Sequence, residues 1–401
     1  MAVSTIRPRD SSVNTLLTAI GAWKDSSLTK RLSLVFDNAQ IVGLIEDLEA
    51  TRRTGRPGYP VPVMVKTILA GFILNIPTDT GLIEALGDNP LLSHLCGIFH
   101  PDDIPSPWAY SRFRNKLLAN RELVLGRMAA LVSDLDEVIP GFGETVAIDS
   151  TVMHAYSNGA RKRQSDPDAS WSAKSGRNGH KEWWFGYKGH LIADANTDIP
   201  MWVQVTTAKR HDGQQSLPLL KDAKKNLRNF SPKYFLADRG YDGKNVYKAI
   251  VEEFDAIPII LMRLGSKEPT EPWDERCDQV GTPYCDDGAP MQFQGYDREQ
   301  RMTEWRCSNK LKGELCLCTD SDYGQVVNLR ISDEYRRYCP VPRSTRQWKL
   351  LYNKRGSVER AFSRLKEYKK LDNLKIRGLA KVELHAILAV MVMQAQALGR
   401  L

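Results

Sequence analysis

Val146-Ala147-Ile148-Asp149-Ser150-Thr151 and Tyr234-Phe235-Leu236-Ala237-Asp238-Arg239-Gly240 are two short runs whose apolar part ends in aspartate. Such runs read as buried central strands, and aspartate is a poor strand residue that is costly to bury without a partner. A carboxylate at the C-terminal tip of a central strand is expected where an open α/β sheet places its active site. One strand ending this way also reads as a turn or a helix start. His190-Leu191-Ile192-Ala193-Asp194 ends in aspartate as well. If the strands near 145 and 190 pair antiparallel, their C-terminal tips lie at opposite ends of the sheet, and Asp194 sits away from Asp149.

Working outward, Tyr352, Arg355, Glu359 and Lys366 supply a third carboxylate in a basic setting. At about 100° per residue on an α-helix, the three later residues fall within about 60° of the tyrosine. One acid is then surrounded by a phenol, a guanidinium and an ammonium along a single stripe. That stripe can hold a divalent metal through Glu359 while the cations and the hydroxyl grip phosphate oxygens. A solvated basic helix with one compensating glutamate gives the same pattern. The two strand aspartates decide between these readings: three carboxylates are expected to converge on metal.

The order of elements gives the frame. Residues 1 to 140 are mostly helical in pattern, with Leu16, Leu17, Ile20 and Trp23, and then Ile41, Leu44, Ile45 and Leu48, at helical spacing. Thr54 to Pro60 breaks the pattern behind Arg52 and Arg53, and Pro101 to Pro107 breaks it again before Arg112, Arg114 and Lys116. From about 143 the chain reads as a strand into Asp149, then Tyr187 to Asp194, then Pro200 to Thr206. A helix follows through Leu217, Leu220 and Ala223. Next come the strand into Asp238, a helix over Val246 to Phe254 and a strand from Ala256 to Leu261. Three strands, helix, strand, helix, strand and a closing helix is an RNase H-like order, in which the first and fourth strands lie side by side and parallel. Met262 to Thr345 is too long for a loop in a compact domain and reads as an inserted module. The fold class is therefore α/β: an RNase H-like catalytic domain, a mixed sheet flanked by helices, with an inserted Cys-rich module and an α-helical N-terminal domain. The expected boundaries are 1–140 for the helical domain, 141–261 for the first part of the catalytic domain, 262–345 for the acidic, Cys-rich module, and 346–401 for the catalytic and C-terminal helices that complete the catalytic domain.

These motifs resemble the DDE transposases of bacterial insertion sequences, in the subgroup marked by a Y-x2-R-x3-E-x6-K signature. Tyr352, Arg355, Glu359 and Lys366 match that signature in spacing, and Ala147 to Thr151 and Ala237 to Asp242 look like the first and second aspartate motifs. The resemblance spans most of the chain, residues 45 to 390. It implies that Asp149, Asp238 and Glu359 are catalytic and hold Mg²⁺, with Mn²⁺ able to substitute. Two such ions about 3.5–4 Å apart would serve the attacking and leaving oxygens of an in-line displacement. Tyr352, Arg355 and Lys366 would bind the DNA phosphate beside the scissile bond. The implied activity is cleavage of DNA at the element ends and strand transfer of the 3′-OH to target DNA, through a hairpin intermediate in this subgroup. The implied partners are double-stranded terminal inverted repeats and target DNA, bound by the helical N-terminal domain and by at least a dimer, in the bacterial cytoplasm at the nucleoid. Two alternatives stay open on sequence: an RNase H-like nuclease without transposition, and a zinc-dependent DNA-binding regulator with idle carboxylates.

Composition agrees with a folded, DNA-directed protein. The chain has 401 residues, 42% of them hydrophobic, and a formal net charge of +8. That is long enough for several domains and favours a polyanionic partner. From Arg336 to Arg377 there are fourteen basic and three acidic residues; from Ser266 to Glu334 there are eight basic and fifteen acidic ones. A basic face around the signature helix thus adjoins an acidic insertion. The N-terminal residues lack a charged start followed by an apolar core, so secretion is not expected. Ala386 to Met393 is the longest apolar stretch, too short to span a bilayer, and reads as the buried face of a last helix.

Seven cysteines argue against a disulfide framework in this setting. Six lie in the insertion: Cys277, Cys285, Cys307, Cys316, Cys318 and Cys339. Such clustering fits a structural Zn²⁺ site, and it fits reduced cysteines of a small β-rich module equally, because the spacings depart from C-x2-C knuckles. Arg161-Lys162-Arg163 with Trp171, Trp183 and Trp184 suits stacking on exposed bases, or ordinary edge packing. His211-Asp212 lies between a strand and a helix, where Asp212 reads as an N-cap and not as half of a catalytic dyad.

Overall fold

The computed structural model describes residues 26–51, 58–175 and 180–401. The helical pattern at Leu16, Leu17, Ile20 and Trp23, and the break at Arg52, Arg53 and residues 54–57, lie outside the described residues. The chain divides into two compact units, residues 1–131 with 365–401 and residues 132–364.

The first unit is helical. It contains α1 (Ser27–Phe36), α2 (Ala39–Ala50), α3 (Val61–Ile73), α4 (Asp79–Asp88), α5 (Pro90–Leu95) and α6 (Pro107–Ala119), and α7 (Arg121–Val138) leads out of it. Ser26, Asn38, Thr78 and Asn89 each accept a first-turn backbone N–H at 3.0 Å, which is why four of these helices start where they do. The closing helix of the chain, Leu379–Leu398, packs against α1, α3 and α6. By length and composition it is apolar enough to cross a membrane, but 61% of that window is buried inside the unit. Val382, Leu384 and Ala386 through Val392 are all buried, as expected for a core helix. The sequence places this helix, within 346–401, among the elements that complete the catalytic domain. Its apolar surface runs nearly all the way round, so it needs helices on several sides and is built into the helical unit.

The second unit is a mixed sheet flanked by helices, in the RNase H-like arrangement. Its strands are β1 (Thr145–His154), β2 (Ser170–Ser175), β3 (Lys181–Asp194), β4 (Pro200–Thr207), β5 (Tyr234–Ala237) and β6 (Ile257–Ile260), with α8 (Asp212–Asn226) and α9 (Lys244–Glu252) between them. β1 pairs antiparallel with β3 and parallel with β5, β5 pairs parallel with β6, and β4 pairs antiparallel with β3. β1 does not stop at Asp149, as its apolar pattern had suggested. Beyond Ile148 it loses β5 on one side but keeps β3 on the other, from Ser150↔His190 to His154↔Gly186. β2 was missed, since Ser170–Ser175 is polar and alternates only weakly; it forms a ribbon with the first half of β3.

Between β6 and the signature helices lies a three-stranded antiparallel sheet of β7 (Met291–Asp297), β8 (Met302–Cys307) and β9 (Val326–Arg330), with a one-turn α10 (Ser308–Leu311). Polar contacts tie the segment that returns from it to the α9–β6 region. Arg336 pairs with Asp242 at 2.7 Å, Tyr335 donates to Glu252, and the buried Arg343 reaches the Tyr247 hydroxyl at 2.8 Å and the Ile260 carbonyl.

Candidate active site

The parallel pairing of β1 with β5 ends at Ile148↔Ala237, so Asp149 and Asp238 are the next residues on two adjacent strands. Neighbouring strands lie about 4.8 Å apart, which brings the two carboxylates together without any loop to position them. Asp149 Oδ1 accepts the Ser150 N–H at 2.7 Å. Asp238 opens a 3₁₀ turn over Arg239–Tyr241, where its Oδ1 accepts the Gly240 N–H at 2.7 Å. Gly240 has a steric reason: a Cβ there would lie 2.8 Å from that same oxygen. A cleft of about 680 Å³ opens alongside, lined by Asp212, Gly213, Gly240, Asp242, Lys244 and Arg263.

The signature residues lie on two helices, not one. α11 (Arg346–Asn353) ends in a turn at Lys354 and Arg355, and α12 (Gly356–Lys369) begins after it. At the break Arg355 N–H bonds to the Tyr352 carbonyl at 2.9 Å and Ser357 N–H to the Lys354 carbonyl at 3.0 Å. These are i→i−3 bonds that tighten the turn just before Gly356, a weak helix former. The break places Arg355 at the centre of the site. Its guanidinium donates to Glu359 Oε1 at 2.6 Å and lies 3.6 Å from Asp149 Oδ2. Tyr352 stacks flat on the buried Trp348, ring centroids 4.8 Å apart, with Arg355 5.9 Å from its ring centroid. Lys366 lies two turns further along α12, where it pairs with Asp372 at 3.4 Å. The structure therefore gathers Asp149, Asp238, Glu359, Arg355 and Tyr352, and gives Lys366 a different partner.

Charge in the cluster is unbalanced. Burial pushes the Asp149 carboxyl up to about 7, with repulsion from Asp238 and Glu359 acting the same way; the Ser150 N–H and Arg355 oppose the rise. Three carboxylates facing one guanidinium form an all-oxygen donor set that fits a hard divalent cation. Glu359 is 56% exposed at the rim, whereas Asp149 is 20% exposed, so the site is open on the helix side. Tyr241 was not singled out from the sequence. It is fully buried with its hydroxyl beside Ser150, and burial together with Asp149, Asp212 and Asp238 holds its proton well above the usual phenol range.

Of the remaining sequence candidates, Asp194 lies away from this point and Asp212 lines the adjoining cleft. Asp194 pairs across from Val146 at the far end of the strand, where it accepts from the N–H groups of Gly143, Asn196 and Thr197 and from the Thr197 hydroxyl. It is a buried turn anchor. Asp212 is not the N-cap of α8: His211 occupies that position, and Asp212 is the first helical residue, paired with Lys188 at 3.0 Å. Trp171 and Trp183 are exposed on the β2–β3 ribbon, while Trp184 is buried under Lys188. One positioning contact carried no sequence signal. Asp198 in the β3–β4 turn takes Arg360 of α12 through two bonds of 2.7 and 2.8 Å, and Arg364 as well.

Comparison with known proteins identifies the family. Residues 140–394 match the family model described as "Transposase DDE domain", and residues 21–116 match one described as "Transposase domain (DUF772)". The chain belongs to the DDE transposase family. It is an enzyme that acts on DNA by nuclease and transesterification chemistry, and the family uses divalent metal ions. Among solved structures it is similar to a piggyBac transposase synaptic complex with hairpin DNA determined by cryo-EM, at 13% identity and a TM-score of 0.39, covering 94% of this chain and 76% of that one.

Proposed function

We propose that this transposase cuts DNA at the ends of its own insertion sequence and joins the freed 3′-OH to target DNA, with Asp149, Asp238 and Glu359 as its metal-holding carboxylates. The observation that carries this reading is the register of β1 and β5, which makes Asp149 and Asp238 neighbours while Arg355 bridges Asp149 to Glu359. Mg²⁺, with Mn²⁺ able to substitute, would supply Lewis-acid activation of the attacking oxygen and charge neutralisation of the leaving one.

The chain's own groups account for the rest. With its carboxyl pushed up to about 7, Asp149 holds its proton only part of the time at neutral pH, and loading of the site is coupled to release of that proton. Arg355 is placed to turn from its carboxylate partners to a non-bridging phosphate oxygen, with the Tyr352 hydroxyl beside it and Lys366 further along the strand. In hydrolysis, water adds to phosphorus and the P–O3′ bond breaks, which leaves a 3′-OH and a 5′-phosphate. In strand transfer that 3′-oxygen forms a new P–O bond as one target P–O3′ bond breaks, so the number of phosphodiesters is conserved. The Y-x2-R-x3-E-x6-K signature supports a hairpin on the excised end. The helical region, residues 1–140, is assigned to end binding, and concerted cutting of two ends calls for at least a dimer on DNA. The site of action is the bacterial cytoplasm, at the nucleoid.

The test is cleavage and joining of a linear DNA that carries the gene's native flanks, with Mg²⁺ and a supercoiled target. Wild type should release the flanked segment and join it. Asp149→Asn, Asp238→Asn and Glu359→Gln, folded and at equal concentration, should do neither. Nicking without joined product would replace this reading with a nuclease, and unchanged activity in any one variant would remove that residue from the site.

A further inference from the structure

Of the six cysteines of the insertion, four come together. Cys285 precedes β7, Cys307 ends β8, and Cys316 and Cys318 follow α10. Their four Sγ atoms all lie within 4.8 Å of one another. The Cys285–Cys316 and Cys307–Cys316 separations are 3.7 and 3.5 Å. Four thiolates around a tetrahedral zinc at about 2.3 Å stand about 3.8 Å apart, whereas a disulfide needs about 2.05 Å. All four are free thiols.

Two further observations point to a ligand. Backbone N–H groups surround the sulfurs: Asp287 and Ala289 face Cys285, Asn309 and Lys310 face Cys307, Cys318 N–H faces Cys316, and Gln325 N–H faces Cys318. Chain that folds back to aim N–H groups at sulfur is the outer support that metal-bound thiolates use. The second is an inversion of ordinary burial. In Leu315-Cys316-Leu317-Cys318 the leucines are 87% and 81% exposed while Cys316 is buried. Two neighbouring leucines left in solvent forgo the stabilisation of apolar burial, so the turn is shaped by where its sulfurs point and not by where its leucines pack. Three of the five residues in the module's buried cluster are Cys285, Cys307 and Cys316, with Met291 and Trp305, and Cys318 packs against it.

We propose that Cys285, Cys307, Cys316 and Cys318 form a closed, structural zinc site that folds the insertion. Four protein sulfurs leave no open coordination position, so the site is not a second catalytic centre. Cys277 and Cys339 are excluded. Cys277 lies against Asp274 and the Tyr338 hydroxyl, and Cys339 against Arg343 and main-chain carbonyls. This inference does not depend on the DNA chemistry.

Metal analysis of the full chain, purified under reducing conditions without chelator, tests it directly. One equivalent of zinc per chain is expected, retained in Cys277→Ser and Cys339→Ser and lost at least tenfold in Cys316→Ser and Cys318→Ser. Should the ligand variants fail to fold, wild type alone decides. Cobalt exchanged into it should give the thiolate-to-cobalt charge-transfer and tetrahedral d–d bands of a four-sulfur site. Wild type free of zinc and without those bands would overturn the proposal, as would iron in place of zinc or zinc retained when Cys316 and Cys318 are both changed.

Discussion

The two polar clusters of the sheet-bearing unit are built in opposite ways. Asp149 and Asp238 come from two central strands and are brought together by register, with Arg355 added from the break between α11 and α12 and Glu359 from the first turn of α12. The four sulfurs come from the end of β8 and from the turns beside it, and a zinc held there would tie those turns together. The carboxylates are like charges held close by strand register, whereas three of the thiols lie in the small buried cluster of the insertion. A site that the fold holds under repulsion is poised for a substrate and its cations. A site that holds the fold is structural. The two should therefore respond oppositely to mutation.

The largest effect separates them. Asp149→Asn or Asp238→Asn should lower DNA cleavage by about three orders of magnitude or more, several kcal/mol of transition-state stabilisation. Thermal stability should be unchanged or higher, because a like charge has gone. Cys316→Ser should do the reverse in order of events, with the insertion opening first. Limited proteolysis should cut within 262–345 in Cys316→Ser at protease levels that leave Asp149→Asn intact. Equal resistance of the two variants would erase the distinction.

Next in size is pH. The Asp149 carboxyl stands at about 7 in the folded protein and about 3.9 in an unfolded chain, so the folded state binds the extra proton between those values. Its contribution to stability is full below about pH 4 and is lost as pH rises toward 7, on the order of a few kcal/mol in the metal-free protein. The difference between wild type and Asp149→Asn in chemical denaturation, measured from pH 4 to 8 with EDTA, isolates that slope. A difference that does not change with pH would show that the carboxyl is not held protonated. At limiting Mg²⁺, wild-type activity should rise by about tenfold per pH unit below 7, and saturating Mg²⁺ should flatten that rise, since one proton must leave for a cation to enter.

The legibility of each cluster follows from the same contrast. The runs ending Ile148-Asp149 and Ala237-Asp238 are apolar with a misplaced acid, and strand order fixes their neighbours, so the sequence contained both the strands and their pairing. The spacing of Tyr352, Arg355 and Glu359 was legible, but the break at Lys354–Arg355 was not, because i→i−3 bonding replaces i→i−4 bonding without a proline to announce it. Choosing four cysteines among six required three-dimensional closure. Cys277 and Cys339 satisfy the same clustering in sequence and fail it only in space. The β2 strand was hidden because Ser170–Ser175 itself holds no buried apolar face: its partner residues Trp184 and Phe185 in β3 supply the burial, so β2 shows no hydrophobic period.

Asp198 sets the smallest effect and the finest test of the comparison. It sits at φ 60°, in the left-handed region, and its carboxylate holds Arg360 through two bonds and Arg364 through a third contact. All of this lies on a face of α12 that does not carry Glu359. Arg360 is more than half exposed, so loss of the pair should cost only about 1 kcal/mol of stability. Asp198→Asn is the informative change, because asparagine tolerates the same backbone conformation and removes only the charge. If the clamp orients α12, cleavage should fall about tenfold at saturating DNA with little change in DNA affinity, since a small displacement of Glu359 acts on the reacting geometry. Charge reversal of the pair, Asp198→Arg with Arg360→Asp, should recover part of that loss if the contact between turn and helix is what matters. Unchanged turnover in Asp198→Asn would mean that β1, β5 and the Arg355 turn orient Glu359 without help from the β3–β4 turn.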